Sequence, residues 1–299
     1  MSRSTWAVLL IVAVGWGTGG IAVRAAYGED IGPWTLVTLR VAIAAVLVIA
    51  LLAARGLRVP DRVTMKVGVV MAITNLLIPY VLFTFAYNEA SAGFVGLFAA
   101  LIPLATAVYA NFMLDNERLT RGKLVGLFVG FSGVAALLIS GDSGLGGEGR
   151  PLVAAILALI SVVAIGYAGA YAKRYAGQYD PIEITGIQFA LSAVVLIPAM
   201  LVFEGFPSSL TAPGWALIVY MAIVSTFMPF YLYYRLLETM PATTVSLVGY
   251  LVPLVSLIGG VLLLGEQIET GIVIGGALIL TGMVITDRAG RTRTPAARD

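Results

Sequence analysis

One charged residue lies well inside an apolar stretch of this sequence: Arg40, within residues 33–54. A charge in such a stretch is costly unless it faces a cavity or a partner. A guanidinium can attract a carboxylate, so Arg40 is a candidate binding residue for a solute that carries one. The alternative is a structural bond to backbone carbonyls or to Glu89. Gln188, at the matching place in the second half of the chain, is also polar, so both are expected to face the interior.

Aromatic, hydroxyl and amide side chains recur at helical spacing in other apolar stretches. Tyr80, Thr84 and Tyr87 lie at i, i+4 and i+7, with Asn75 about one turn below them. The spacing and depth of these residues favour the wall of a cavity that takes a small solute. The expected binding residues are Trp16, Arg40, Asn75, Tyr80, Thr84, Tyr167, Gln188 and Tyr250.

Two alternative readings apply to the same residue types. Tyrosines near the ends of apolar segments are typical of the membrane interface, which is the interpretation for Tyr87, Tyr109 and Tyr171. Small residues on a helix face also serve simply to pack helices together. One further stripe in the second half combines hydroxyl, aromatic and proline residues at Thr243, Ser246, Tyr250 and Pro253.

Four prolines interrupt apolar segments at matching places in the two halves: Pro79 with Pro229, and Pro103 with Pro253. A proline inside a helix removes one hydrogen bond, kinks the helix and frees a carbonyl. Interrupted segments at equivalent positions of two halves indicate a transport site. These four prolines are therefore predicted to be kinks or gating points.

The chain contains no histidine and no cysteine, and its sixteen acidic residues fall at segment ends or in loops. These absences predict no metal, no cofactor and no catalytic triad or thiol, so an enzyme is not expected. A membrane-embedded carboxylate that exchanges a proton is likewise not expected. Glu117 and Glu266 precede the fifth and tenth apolar segments, and we interpret them as caps of those two helices.

The composition indicates that most of the surface faces lipid. Hydrophobic residues make up 60% and charged residues 11% of the chain, and the mean hydropathy is +0.98. A soluble domain carries about 25% charged residues. The basic residues form short clusters between apolar runs, so nucleic-acid binding is not expected.

Ten apolar segments, which we call spans one to ten, are each about 20 residues long, as a membrane helix requires. They lack the alternation of a β-barrel, so an all-α polytopic membrane protein is predicted. The first is long enough to be a retained span rather than a cleaved signal. The ten lie at about 6–25, 33–54, 64–86, 91–113, 123–140, 151–173, 181–203, 213–236, 242–264 and 271–287.

The distribution of basic residues predicts the orientation. If the N-terminus is cytoplasmic, all but three of the eighteen Lys and Arg residues fall in cytoplasmic segments. The exceptions are Arg24, Arg40 and Arg150. Both termini are therefore predicted to be cytoplasmic, and the polar stretch 288–299 is predicted to be a disordered cytoplasmic tail.

The two halves align on each other with an offset of about 150 residues, as the paired prolines show. Each half, 1–140 and 151–287, holds five spans, so the second half must enter the membrane from the opposite side. This is an inverted-topology repeat, an arrangement typical of transporters that expose one site alternately to the two sides.

Several short motifs recur in both halves. Trp16-Gly17-Thr18 opens the first half, which also holds Pro103 and Asn116-Glu117-Arg118-Leu119. The second half repeats Pro253 and then Gly265-Glu266-Gln267-Ile268. This pattern resembles the drug/metabolite transporter superfamily, specifically its ten-helix EamA branch, and within it the bacterial amino-acid exporters of the YddG type. The first half has Asn116-Glu117 where the family usually has Gly-Glu, and the second half has Ala164-Ile165 where it has Trp-Gly.

The resemblance and the residues imply the same function. A cavity with aromatic faces, a few polar groups and one cation suits a neutral or zwitterionic solute, such as an amino acid. The chain is expected to be a monomeric exporter in a bacterial inner membrane. One alternative is a sugar-phosphate or nucleotide-sugar carrier of the same superfamily, which would need several cavity cations. Another is a membrane sensor or structural protein without transport.

Overall fold

The computed structural model describes residues 3–56, 59–115, 117–207, 209–239 and 248–291. Within these ranges the chain is helical, and no strand occurs. The α-helices are Arg3–Tyr27, Pro33–Ala54, Arg62–Met71, Ile78–Glu89, Ala92–Ala99, Ile102–Met113, Arg121–Ser140, Pro151–Arg174, Pro181–Phe203, Ala212–Ala222, Met228–Thr239, Val248–Leu264 and Thr270–Arg291.

The predicted spans are confirmed as helices. Nine helical stretches of the described chain are long and apolar enough to cross a membrane. The remaining stretch, Val248–Leu264, is shorter and follows residues 240–247, which lie outside the described part. The last helix continues to Arg291, so residues 288–291 are helical and not part of a disordered tail. Residues 292–299 lie outside the described residues.

Two spans contain a π-helical turn just before a proline. In span three the turn is Ala72–Leu77, and Pro79 follows it. In span eight the turn is Ile223–Phe227, and Pro229 follows it. A proline lacks an N–H and its ring crowds the preceding turn, so the helix widens there. Pro79 and Pro229 therefore mark equivalent irregular turns in the two halves.

The other proline pair is not equivalent in structure. Span four breaks at Ala100 and Leu101, whose N–H groups bond three residues back, and a new helix starts at Ile102 before Pro103. Pro253 instead lies inside the continuous helix Val248–Leu264. Of this pair, therefore, only Pro103 coincides with a helix break.

The spans pack across the two halves. Span two packs on span seven, span four on span nine, and span five on span ten. The last pair is the closest, because glycines line both helices: Gly126 faces Gly282, and Gly133 faces Gly275. Small residues let two helix backbones approach closely, which favours association in lipid.

The end of the molecule away from Arg3 and Arg291, here called the distal end, is held by carboxylates that cap helices from a distance. Glu204, at the end of span seven, accepts hydrogen bonds from Trp34 N and Thr35 N, at 2.9 and 2.8 Å. Glu266 accepts bonds from Ala92 N at 2.7 Å and Gly93 N at 3.2 Å. The predicted role of Glu266 at span ten is therefore wrong, because the helix that it caps is span four.

The prediction for Glu117 is wrong as well. The N-cap of span five is Thr120, whose hydroxyl accepts a bond from Lys123 N at 3.2 Å. The Glu117 carboxylate instead pairs with Lys173 of span six and lies 4.0 Å from Lys123 Nζ. Asn116, beside it in the family motif, lies outside the described residues.

Candidate functional site

Arg40 is buried, with 7% of its surface exposed, and its partners are two hydroxyls in the π-helical turn of span eight. Its Nε and Nη2 donate to Thr226 Oγ1 at 3.1 and 2.9 Å, and Nη2 also reaches Ser225 Oγ at 3.3 Å. Nη1 takes part in none of these bonds. Glu89 is not its partner, as one alternative proposed, because the Glu89 carboxylate binds Arg150 in a two-point ion pair.

The guanidinium of Arg40 also touches an aromatic ring. Its Cζ lies 4.7 Å from the centre of the Tyr80 ring, a favourable cation–π distance. Arg40 of span two, Tyr80 of span three and Thr226 of span eight thus form one contact group, at the level of the two π-helical turns.

Phe230, the residue after Pro229, brings the aromatic residues of this region together. Its ring lies 5.6 Å from Trp16, 6.2 Å from Tyr80 and 5.4 Å from Phe189. Trp16 also contacts Tyr233 at 5.2 Å. We call Trp16, Arg40, Tyr80, Phe189, Thr226, Phe230 and Tyr233 the central cluster. It draws on spans one, two, three, seven and eight.

Trp16 belongs to the central cluster because its glycine neighbours let other helices come close. A side chain at Gly15 would overlap Pro229, and one at Gly17 would overlap Val255 of span nine. The Trp16 ring therefore lies between spans that belong to the second half of the chain. This agrees with the prediction that Trp16 faces the protein interior and not lipid.

Gln188 is fully buried, and its side-chain amide has no partner among the described residues. Both the oxygen and the nitrogen of this amide lack a hydrogen bond. A buried polar atom without a partner costs about 1–3 kcal/mol, so such groups usually have a role. In sequence, Gln188 directly precedes Phe189 of the central cluster.

The remaining predicted residues make other contacts. Tyr167 packs on the apolar core that contains Phe189 and Phe230, meets Tyr109 edge-to-face and stacks on Tyr171. The Thr84 hydroxyl donates to Tyr80 O at 2.6 Å, so it is satisfied inside its own helix. Tyr250 packs, half-buried, on the apolar cluster that contains Phe94 and Phe98. Asn75 lies half-buried within the π-helical turn Ala72–Leu77, and Thr243 and Ser246 lie outside the described residues.

Two of the tyrosines interpreted as interfacial do not face lipid. Tyr171 is only 7% exposed and joins the tyrosine row. The Tyr87 ring occupies the space that a side chain at Gly20 would fill. Both are covered by neighbouring spans, which hydropathy alone does not reveal.

Sequence reasoning missed Ser225, Thr226 and Phe230, which hold Arg40 and join the aromatic rings. A signal was available, because Ser225 lies 150 residues after Asn75 and both precede a matched proline. Extending the repeat alignment from the prolines to their polar neighbours would have selected Ser225. Phe230 carries no such signal, since an apolar residue in an apolar span is unremarkable.

The fold is that of a polytopic membrane protein with a buried cation and aromatic rings where its two halves meet. The EamA-like transporter family matches residues 4–139 and 152–286, and the chain belongs to this family. Similar proteins include an uncharacterized transporter of Archaeoglobus fulgidus, 28% identical over 95% of this chain and 98% of its own length. A probable terminal-alkyne amino-acid exporter of Streptantibioticus cattleyicolor is 27% identical over 100% of this chain and 99% of its own.

One solved structure shows the same fold. A crystal structure with a TM-score of 0.66 and 21% identity covers 98% of this chain and 100% of its own. At this identity the likeness concerns the fold alone. The family match identifies the chain as a multi-pass membrane transporter, in agreement with the sequence prediction.

Proposed function

We propose that this chain exports small neutral or zwitterionic solutes, in particular amino acids that include aromatic ones. The solute binds between the two halves, at the central cluster, and transport proceeds by alternating access between two inverted five-helix repeats. The protein works as a monomer in the bacterial inner membrane, with both termini in the cytoplasm.

The observation that carries the proposal is the chemistry of the central cluster. Arg40 lies against Tyr80, the rings of Trp16, Tyr80 and Phe189 surround Phe230, and Tyr233 lies against Trp16. One cation suits one carboxylate, and aromatic faces suit an apolar or aromatic side chain. A sugar phosphate or nucleotide sugar, with its additional negative charges, would require more cations than Arg40 supplies.

Two features support the inverted-repeat mechanism. The π-helical turns Ala72–Leu77 and Ile223–Phe227 occupy equivalent places before Pro79 and Pro229. The pairings of spans two with seven, four with nine, and five with ten match each element with its repeat. Two halves with equivalent irregular turns can exchange shapes, which supplies two access states. The name of the Streptantibioticus relative supports an amino acid as the solute.

The direct test is solute flux in sealed vesicles that contain only this protein. We expect counterflow of radiolabelled phenylalanine or leucine, and competition by other neutral amino acids but not by glucose 6-phosphate. Flux of the sugar phosphate without amino-acid flux would favour the alternative carrier. Absence of flux for every solute, with correctly folded protein, would favour a sensor or structural role.

Trp16→Ala tests the site within this assay. We expect amino-acid flux to fall at least about tenfold, because an aromatic wall of the site is lost. Trp34→Ala is the matched control, because Trp34 stacks on Phe203 and meets Phe85 edge-to-face, and neither residue is in the central cluster. Removing a packed Trp costs stability, so Trp16→Phe and the yield of folded protein are measured in parallel. Equal flux losses in the two alanine variants would exclude a specific role for Trp16.

The proposed orientation is tested by cysteine labelling, since the chain contains no cysteine. Arg62 and Asp30 are both exposed and lie at opposite ends of the molecule. In intact cells an impermeant thiol reagent should label Asp30→Cys and spare Arg62→Cys. The reverse labelling pattern would contradict cytoplasmic termini.

A further inference from the structure

A second polar cavity lies at the distal end, away from the central cluster. It measures about 220 Å³ and is formed by the end of span one, the 141–150 loop and the connection between spans nine and ten. Its polar side chains are Arg24, Glu148, Glu266 and Gln267. Arg24 follows Trp16 by eight residues of one helix, which places it about 12 Å further along that helix.

The cavity walls are held by bonds between separate parts of the chain. Gly144 N donates to Glu269 Oε2 at 2.8 Å, and Gln267 N donates to Gly144 O at 3.2 Å. Next to these, Arg150 Nε donates to Glu89 Oε2 at 2.6 Å. The loop that closes the cavity is thus tied to spans three and ten, which keeps a binding site preorganised.

Arg24 lines this cavity with part of its hydrogen-bonding capacity unused. Nη1 donates to Tyr87 O at 3.2 Å, while Nε has no hydrogen-bond partner among the described residues. Glu266 Oε1 lies 3.8 Å from Nε, but both Glu266 oxygens already accept bonds from Ala92 and Gly93. Burial raises the pKa of Glu266, while these bonds and Arg24 act in the opposite direction. Nε is buried, so the guanidinium can donate to a further carboxylate through Nη2, which has no hydrogen-bond partner among the described residues.

Two further polar side chains of the cavity are uncommitted. Neither the Glu148 carboxylate nor the Gln267 carboxamide has a hydrogen-bond or ion-pair partner in the part of the chain that the structure describes, and both residues are exposed. The cavity therefore presents a cation with spare donors, a free carboxylate and a free amide within one small volume.

We infer that this distal cavity is a second solute site, at which a small zwitterion binds with its carboxylate on Arg24 and its ammonium on Glu148. The inference rests on the proposed function and deepens it, because it gives the solute a site at the outer mouth of the transporter. There the solute is held after release from the central cluster, or rebinds from outside.

Charge and size favour a zwitterion over other solutes. A zwitterion can place its carboxylate beside Arg24 and its ammonium beside Glu148, whereas a simple anion or cation can pair with only one of these two residues. Drug-sized ligands need about 300–1,000 Å³, so a cavity of about 220 Å³ suits a solute of the size of alanine or serine. Gln267 adds an amide that can hydrogen-bond to either end.

The test uses protection of a single cysteine that is placed in this cavity. Leu145 lines the cavity, so Leu145→Cys in the otherwise cysteine-free chain gives a local probe. The full-length protein is reconstituted in nanodiscs and labelled with an impermeant maleimide, with or without millimolar L-alanine. We expect L-alanine to slow labelling at least threefold, and alaninamide and propionate to slow it much less.

Glu148→Gln, made in the Leu145→Cys chain, is the decisive variant. The Glu148 side chain makes no hydrogen bond or ion pair with the described residues, so the variant should fold while the alanine concentration for half-protection rises about tenfold. Asp30→Asn is the matched control, because Asp30 is an exposed acid at the same end but does not line the cavity. It also has a positive φ of 55°, which asparagine tolerates. This control should leave protection unchanged.

Three results would overturn the inference: no protection by alanine, equal protection by propionate and alaninamide, or protection that survives Glu148→Gln. The last result would mean that alanine acts from the central cluster. Amino-acid flux in vesicles is measured separately. If the vesicles transport amino acids but alanine does not protect Leu145→Cys, the distal site is excluded and the proposed function stands. If alanine protects Leu145→Cys but no flux occurs, the distal site stands and the proposed function is excluded.

Discussion

Arg40 and Gln188 occupy equivalent positions in the two halves, but their surroundings differ. Arg40 is bonded to Thr226 and Ser225 in the π-helical turn of span eight. Gln188 is fully buried, and its amide has no partner within the described ranges. The two halves therefore share the same backbone irregularity, but the side chains that bond it differ. The cation Arg40 bonds the span eight turn, whereas the span three turn accepts one long bond, from Ser192 Oγ to Ala72 O at 3.4 Å.

This difference indicates which of the two places stabilises the present conformation and which one destabilises it. Bonds to a charged group contribute about 1.5–3 kcal/mol, whereas an unpaired buried amide costs about 1–3 kcal/mol. The span eight turn is thus stabilised by its neighbour, and the corresponding place in the other half carries an unsatisfied group. A solute or a change of conformation that satisfies Gln188 would relieve that cost.

The largest effect is expected when Arg40 is replaced by glutamine, the residue at the equivalent position 188. Arg40→Gln removes the charge but keeps an amide, so affinity for amino acids should fall about 10- to 100-fold, the scale of a lost bond to a charged group. Affinity for the corresponding amino-acid amides should scarcely change. Competition in the vesicle assay measures both affinities. Parallel losses for acids and amides, with lower thermal stability, would make Arg40 a structural residue only.

A smaller effect is expected from the partner of Arg40. Thr226→Val keeps the shape but removes the hydroxyl that accepts from Nε and Nη2, so the free energy of unfolding should fall by about 1–2 kcal/mol. Thermal unfolding in detergent measures it. Ser225→Ala is the matched control and should cost less, because its bond to Arg40 is the longest of the three, at 3.3 Å. A larger loss of unfolding free energy in Ser225→Ala than in Thr226→Val would make Ser225 the main partner of Arg40.

The smallest effect is expected at Gln188. Gln188→Leu removes two buried atoms that lack partners, so stability should be unchanged or rise by up to about 1 kcal/mol. The same measurement on Arg40→Leu should show a clear loss. If Gln188→Leu destabilises the protein as much as Arg40→Leu, the Gln188 amide has a partner and the two halves are equivalent after all.

Much of the fold could be predicted because lipid imposes a simple rule on the sequence. A span needs a long apolar run, so hydropathy located the helices, and the chemistry of proline located the irregular turns before Pro79 and Pro229. Partners across the chain were harder to predict. Glu266 was expected to cap the helix that follows it, but its carboxylate reaches Ala92, 174 residues away. Sequence proximity is a weak guide once a loop folds back on another helix.

The candidate site, like the fold, could be predicted only in part. Trp16, Arg40, Tyr80 and Gln188 could be selected from the sequence because polar or bulky groups deep in apolar spans need a reason to be there. Tyr167, Thr84 and Tyr250 met the same criterion, but their contacts differ. Tyr167 packs on two other tyrosines, the Thr84 hydroxyl bonds within its own helix, and Tyr250 packs on the apolar cluster with Phe94 and Phe98. Helical spacing identifies residues that share one face, but it does not tell which neighbouring helix covers that face.

The sequence alone determined that this chain is a polytopic membrane protein of the EamA type with a buried cation. Those properties depend on composition, segment length and local motifs, which are independent of how the helices pack. Only the tertiary structure decided that Arg40 binds Thr226, 186 residues away, and that Phe230 joins rings from three other spans. Such contacts depend on how each helix is rotated and how deep it lies in the bundle. Side chains from distant parts of the chain determine this together, because they must fit one another.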